Sequence, residues 1–429
     1  MAATNSVAEA IRKDLKQVPT LPSNCTIYRV PEMLRKVKPE AYTPRLVSIG
    51  PFHSQKEHLK PMEAHKLQYL NEFLGRTSQV TLVDYVNAMT ELEERVRKCY
   101  SEIINLKKDD LIKMLVIDGC FIVELFLRRD KWEQYRDDPI LSKTWMSRTI
   151  MRDLILLENQ LPLFVLQKLK ILVNRGNAEV RANTLIELAE LFFRGILLHQ
   201  RPAKHHQNVS DLEKLAKNEE SEDDPLGKKH FLDLLRHAHL PSTPMISENH
   251  GKFRRIHSAT ELHEAAHVKF SLGSQTCLFD ITFSFETLKI PPIRIGDWTE
   301  SLLRNLIAFE QCHSDCTKYM TAYATLMDGL IVSPKDVELL EKNGIIDNFI
   351  GRPEKVAELF NKLLEEVTIP LNDFYFSGVC EEVEKYYEMI NASSMMGYRF
   401  NNSSGGFIQS LLQKLFSYTR KNNSPASEE

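Results

Sequence analysis

Residues 114–126, MLVIDGCFIVELF, and residues 153–169, DLILLENQLPLFVLQKL, decide how this chain folds. Both are apolar on nearly every side of a helix, and such helices sit inside a helical body rather than on its surface. Yet they carry Asp118, Glu124, Asp153, Glu158, Asn159 and Gln160, groups that are costly to bury without partners. Pro162 removes a backbone donor and kinks a helix, so the polar side chains just ahead of it are expected to satisfy the backbone groups it frees.

A second polar set lies in equally apolar helical sequence: Arg304, Asn305, Glu310 and Gln311 in LLRNLIAFEQC, and Asp328 in ATLMDGLI. These supply matching charges and amides, and Asp153 and Glu158 are expected to pair with groups such as Arg304 and Asn305 across the core. The competing reading is an acid-rich pocket between helices. There, burial would perturb the pKa values of Asp118, Glu124, Asp153, Glu158 and Glu310 into an acid/base set, with Asn159, Gln160, Arg304, Asn305, Gln311 and Asp328 as binding residues.

Outward from these stretches, helical periodicity runs through about 57–74, 81–106, 109–129, 137–172 and 176–199, then 298–330, 334–343, 352–366 and 376–395. Between them, 201–257 is polar and rich in Pro, Ser and charge, with one short amphipathic helix expected at HFLDLLRHAHL (230–240). It reads as an exposed linker or mobile insertion. In VKFSLGSQTCLFDITFSFETLKIPPIRI (268–295), Leu278, Asp280, Thr282 and Ser284 alternate with Phe279, Ile281, Phe283 and Phe285, which predicts a small hairpin or meander. Asp297 and Thr299 are candidate caps for a helix restarting near Trp298. The expected fold is mainly α with a small β-hairpin or meander, bundle-like, its two halves sharing one core. The organisation is 1–200 as the first helical half, 201–257 as the insertion, 258–395 as the β element and second half, and 396–429 as a tail.

Hydrophobic residues make up 43% of the 429, and charged residues 26%, with Gly 16 and Pro 19, which excludes collagen-like and globally disordered chains. Lys+Arg 55 against Asp+Glu 58 leaves a net charge of −3, so no basic field drives nucleic-acid binding. The seven cysteines are scattered without a CxxC pair and read as free thiols, and the N-terminal stretch lacks the apolar core of a secretory signal, so a cytoplasmic protein is expected. No stretch has the roughly 20 apolar residues of a spanning helix. The amphipathic segment 407–421, with Phe407, Ile408, Leu411, Leu412, Leu415 and Phe416 on one face, suits either a helix docked on the core or peripheral membrane contact.

The sharpest motif is His263-Glu264-Ala265-Ala266-His267, an HExxH string. In zinc peptidases the two His bind the metal from one helix face and the Glu activates water. Here a Ser258/Glu261 capping box starts the helix only about ten residues before a β-like run, so it is too short, and no third ligand is placed. We read His263, Glu264 and His267 as a decoy. Gly227-Lys228-Lys229 lacks the rest of a phosphate-binding loop, and Cys312 and Cys316 read as core thiols. No metal or other cofactor is expected.

IYRVPEMLRKVKPEAYTPRLVSIGPFH (27–53), LKPMEAHKLQYLNEFL (59–74), VIDGCFIVELF, DLILLENQLPLFVL, HFLDLLR, SATELHEAAHVKF (258–270) and NLIAFEQC followed by AYATLMDGLI together resemble the plant domain of unknown function 247 family. The match runs in order from about residue 8 to residue 390. It implies a plant protein from a family whose members often end in a hydrophobic membrane helix, with some relatives at grass self-incompatibility loci as candidate pollen-side determinants. It brings no catalytic residues. This chain departs from the pattern at its C-terminus, where the tail is shorter and amphipathic. The leading expectation is a recognition or signalling protein that engages a protein partner, particularly through 201–257. The alternative is an enzyme performing isomerase- or cyclase-like acid/base chemistry on a hydrophobic substrate.

Overall fold

Lys108–Asp130 forms a 23-residue helix with fifteen buried residues, and the rest of the first half assembles around it. The computed structural model describes residues 2–17, 25–175, 183–199, 229–240, 251–274 and 277–400. The expectations for most of 201–257 and for the amphipathic segment 407–421 lie outside the described residues.

The helices of the first half are α1 (Ala2–Gln17), α2 (Glu32–Val37), α3 (Pro61–Leu74), α4 (Leu82–Lys98), α5 (Lys108–Asp130), α6 (Thr144–Asp153), α7 (Leu163–Asn174) and α8 (Leu185–Phe193). After α9 (Phe231–His239) and α10 (Ala259–Ala266) come β1 (Lys269–Leu272), β2 (Thr282–Ser284), β3 (Thr287–Ile290) and β4 (Ile293–Ile295). The second half is α11 (Thr299–Cys312), α12 (Tyr319–Leu330), α13 (Pro334–Lys342), β5 (Ile346–Asn348), α14 (Pro353–Leu363) and α15 (Ser377–Phe400).

Because α5 has no polar face, it is surrounded, packing against α3, α4, α7 and α8. Gly119 permits the approach of α7: a Cβ there would lie 2.3 Å from Leu169 Cδ1. Capping boxes at Thr81/Asp84, Thr184/Glu187 and Ser333/Asp336 start α4, α8 and α13. Pro61, Pro334 and Pro353 stand in the first turns of their helices, where the missing N–H is no loss. One cluster of buried apolar side chains runs from Ile27 to Val383, so the two halves share a core.

Three local expectations are corrected. The periodic stretch 137–172 is not one kinked helix: α6 ends at Asp153, residues 154–162 are buried but non-helical, and α7 starts after Pro162. The short helix α9 is no exposed linker element, since Phe231, Leu232, Leu234 and Leu235 are all buried. Phe231 closes a ring cluster with Phe126 at 5.3 Å and Phe193 at 5.5 Å, so α9 seals α5 and α8 from the other side. The helix near Trp298 starts without a side-chain cap; Thr299 Oγ1 instead accepts from Gly296 N at 2.9 Å.

The β element is smaller than the alternation suggested. β2 and β3 form an antiparallel hairpin through the two-residue turn Phe285-Glu286, and β1 joins β3 in parallel, giving the order β1-β3-β2. Both turn residues have positive φ, as a hairpin turn matching the strand twist requires. Leu278 and Phe279 precede the strand in a turn and are both buried. β4 and β5 pair in parallel. In the HEAAH stretch, α10 ends at Ala266, His267 takes a left-handed conformation with φ 56°, and His263 Nδ1 lies 3.0 Å from Val268 O. The two histidines therefore do not stand one turn apart on a helix.

Candidate functional site

Residues 26–53 contain little regular structure, so most of their backbone donors cannot be met by a helix or sheet ladder, and burial makes each one need a partner. The polar side chains of 118 and 153–160 provide them. Asp153 accepts from the backbone N–H groups of Arg45 (3.0 Å), Leu46 (2.7 Å) and Val47 (3.1 Å). Asn159 Oδ1 accepts from Ile49 N at 2.7 Å while its Nδ2 donates to Val47 O at 3.0 Å. Asp118 Oδ2 accepts from Gly50 N at 2.9 Å and Glu158 Oε1 from Val30 N at 2.7 Å. Gln160 donates to Leu154 O and Leu156 O and accepts from Phe231 N at 3.1 Å, fixing the start of α9. Together these five polar residues and their neighbours template an irregular strap of chain against the core.

The charges are matched as well. Asp118 pairs with buried Lys66 at 2.7 Å, Asp153 with Arg152 at 2.9 Å, and Glu310 with Arg236 at 3.3 Å. Burial raises the pKa of all three acids, and these cations, with backbone N–H donors, work against that rise. Glu310 also accepts from Met320 N, Thr321 N and Thr321 Oγ1 at 2.9–3.0 Å, which caps α12. Glu124 is gripped by Arg76 (2.5 and 2.9 Å) and Arg128 (2.7 Å), and Arg128 continues to Asp138, whose carboxylate takes the Tyr69 hydroxyl.

The expected pairing of Asp153 and Glu158 with Arg304 and Asn305 does not form. Arg304 bonds Glu300 and Lys362 O at 3.0 Å each. Asn305 does bridge the halves, but through backbone: Oδ1 accepts from Leu157 N at 2.9 Å and Nδ2 donates to Ala41 O at 2.8 Å. Gln311 exchanges two bonds of 3.1 Å with the backbone of Thr368, and Asp328, half-buried near the end of α12, has its pKa raised by burial against the opposing charge of Arg255. The five candidate acids therefore do not converge on a common cavity.

One of them does reach an opening. Glu158 forms the floor of a cleft of about 550 Å³ lined by Arg29, Val30, Pro31, Arg35, Phe52, His53 and Lys56, with Glu32 and Glu102 at its edge. Its Oε1 receives Arg35 Nη2 besides Val30 N, and its Oε2 lies 3.3 Å from Arg29 Nη1 and 3.2 Å from His53 Nε2. Burial pushes the Glu158 carboxyl up, but His53, Arg35 and the Val30 N–H outweigh it and hold it at about 2. Glu158 is thus a permanent anion that orients two guanidiniums. His53 is 2% exposed, no aligned hydrogen bond reaches either ring nitrogen, and burial holds its pKa below the usual histidine range. Arg29 also lies over the Phe52 ring at 4.1 Å and gives its Nε to Glu102 at 3.0 Å.

The cationic side of this cleft is absent from the sequence reading. Arg29, Arg35, His53 and Lys56 show no periodic or motif signal; the sequence feature nearest to one is the density of basic residues around Pro31, with Arg29, Arg35, Lys36 and Lys38. A second cleft, of about 290 Å³, lies between α9 and the turn after α11, where Lys229 Nζ meets His313 Nε2 at 2.7 Å and His313 Nδ1 meets Tyr28 OH at 2.8 Å. The Tyr28 hydroxyl donates to Cys25 O, so His313 carries its proton on Nδ1 and accepts from Lys229. Cys312 and Cys316 sit alongside as thiols, and burial raises the pKa of both. Among the described residues no group of three or more His, Cys, Asp or Glu is placed to hold a metal ion, and no helix is long and apolar enough to cross a membrane.

The chain is similar to known proteins over nearly its whole length. A family model described as a plant protein of unknown function matches residues 27–410. The UPF0481 protein At3g47200 of Arabidopsis thaliana is 30% identical over 398 residues, covering 85% of this chain and 78% of that protein. A second Arabidopsis thaliana UPF0481 protein, At3g02645, is 24% identical over 457 residues, covering 89% of this chain and 84% of its own length. No solved structure matches.

Proposed function

The chain belongs to this plant family of proteins of unknown function, and from that premise we propose that it works by recognition, as an interaction module in plant signalling, rather than by acid/base catalysis in its helical interior. The observation that carries the reading is the occupancy of the interior carboxylates: Asp118, Glu124, Asp153, Glu158 and Glu310 each spend their oxygens on Lys, Arg or backbone N–H groups. A general acid or base needs a proton-accepting position open to a substrate. These acids offer structure instead, and they hold the residue 26–53 strap and the start of α12 in place.

Two measurements test the proposal. Plants expressing Glu124→Gln or Glu310→Gln are profiled for untargeted metabolites while the purified variants are melted; lowered melting temperatures with an unchanged profile support recognition, and normal melts with an altered metabolite overturn it. Co-purification from plant tissue then compares the full chain with one lacking residues 201–228, a deletion that leaves buried α9 intact. A specific partner lost with that segment supports the assignment of 201–257 to partner contact; a partner retained in full removes it.

A further inference from the structure

The cleft above Glu158 holds more donors than the protein itself uses. Arg29 and Arg35 share one carboxylate, and their remaining donors, Arg29 Nη2 and Arg35 Nε and Nη1, have no acceptor within the described structure. Lys56, half-buried at the same opening, has no acceptor for its ammonium either. Its pKa is held below the usual lysine range by burial and by the neighbouring charges of Arg35 and Arg29, only partly offset by Glu158. His53 adds a buried imidazole whose Nε2 faces Glu158 Oε2 at 3.2 Å and whose Nδ1 has no partner among the described residues. Three carboxylates count against an anion here. Glu158, however, is already saturated by its own contacts, Glu102 is 54% exposed and engaged with Arg29, and Glu32 is exposed on the first turn of α2. Charges at a solvent-exposed rim are screened.

We propose that this cleft is a binding site for a phosphate monoester of a small organic molecule, its phosphoryl oxygens received by Arg29, Arg35 and Lys56 and its organic part lying against Pro31 and Phe52. Two guanidinium edges and an ammonium arriving from separate elements suit a dianion with three terminal oxygens better than a carboxylate with two. The volume of about 550 Å³ is in the range of small-molecule sites and far exceeds a phosphoryl group alone. Glu158 has a positioning role, since it sets the two arginines without touching the ligand. The inference goes beyond the recognition reading, does not depend on any protein partner, and is tested with the purified chain alone.

Isothermal titration at fixed ionic strength with phenyl phosphate, inorganic phosphate and benzoate decides it. The expected result is saturable binding of phenyl phosphate, tighter than that of inorganic phosphate and of benzoate. Lys56→Met, which breaks no contact within the described structure, should weaken phenyl phosphate binding about tenfold or more, the scale of one charged hydrogen bond, while leaving the melting temperature of the free protein unchanged. Arg35→Lys should weaken binding while retaining a charge beside Glu158, and a Lys60→Met control, in an exposed Lys60–Glu57 pair outside the cleft, should not. Absence of saturable binding, affinity unaffected by Lys56→Met, or equal affinity for inorganic phosphate or benzoate overturns the proposal.

Discussion

Replacing Glu158 by Gln removes the negative charge that Arg29, Arg35 and His53 share while keeping the shape of the side chain. A carboxyl held at about 2 instead of its ordinary 4.5 favours the ionised folded state by about 3 kcal/mol, at about 1.4 kcal/mol per pKa unit. Because the folded pKa is the lower one, this stability is present above about pH 4.5 and is lost as the pH falls toward 2. Glutamine imitates the protonated acid, so Glu158→Gln should cost about 3 kcal/mol at pH 7, a large part of the 5–15 kcal/mol typical of folded domains. The penalty should shrink to about 2 kcal/mol at pH 3.5, where the wild type has itself lost part of the advantage. Glu158→Ala should cost a further 1–3 kcal/mol or so, because the Val30 N–H loses its acceptor as well. Urea denaturation midpoints followed by circular dichroism between pH 7 and 3.5 measure both. A Gln penalty below about 1 kcal/mol at pH 7, or one that stays constant through that range, would refute the reasoning that Glu158 is a buried ion-pair centre.

His230 is fully buried, with Nε2 donating to Thr26 O at 2.9 Å and Nδ1 accepting from Asp233 N, and burial lowers its pKa to about 4. The neutral form is the folded one, so about 3 kcal/mol of stability present above pH 6.5 should be lost as the pH falls toward 4; His230→Gln should abolish that slope in the same urea series. Gly50 has φ +72°, and a Cβ there would stand 2.7 Å from Gln160 O, a backbone atom. Gly50→Ala should therefore cost about 2 kcal/mol or more and loosen the strap, read as a lower melting temperature with faster amide exchange at 45–50. Lys66→Met strands Asp118 in the core and should cost about 3–5 kcal/mol, of which the double variant with Asp118→Leu regains only part because the Gly50 N–H stays unmet; a double-mutant cycle by thermal melts checks this.

Several of these features were legible from residue order. The apolar girth of 114–126 called for a central helix, and α5 is one. The three-residue spacings Thr81/Asp84 and Ser333/Asp336 are capping-box patterns, and α4 and α13 start at them. The helix through the HEAAH string is as short as its context implies and stops at Ala266.

What the sequence determined by itself was the class of the fold and a requirement. Long helical periods with a polar break make a mainly α body, and acids embedded in apolar helices must find partners, since their desolvation is too costly otherwise. The identity of those partners was decided only by the tertiary structure. Hydrogen bonds and ion pairs act over a few ångströms and depend on direction, so they follow spatial neighbours, and neighbours here are set by the path of an irregular strap that no period describes. Asp153 and Glu158 turned to the backbone of 45–47 and to Arg29, Arg35 and His53 rather than to Arg304 and Asn305. The same limit hid not the helix α9 but its docking, since the segment around it reads as an exposed insertion. Its Arg236 reaches Glu310 and its His239 Nε2 receives Leu198 N, from elements 74 and 41 residues away in sequence. The cationic cleft is likewise a product of that packing, since residues 29, 35, 53 and 56 share no helix face and meet only where the strap folds back over Glu158.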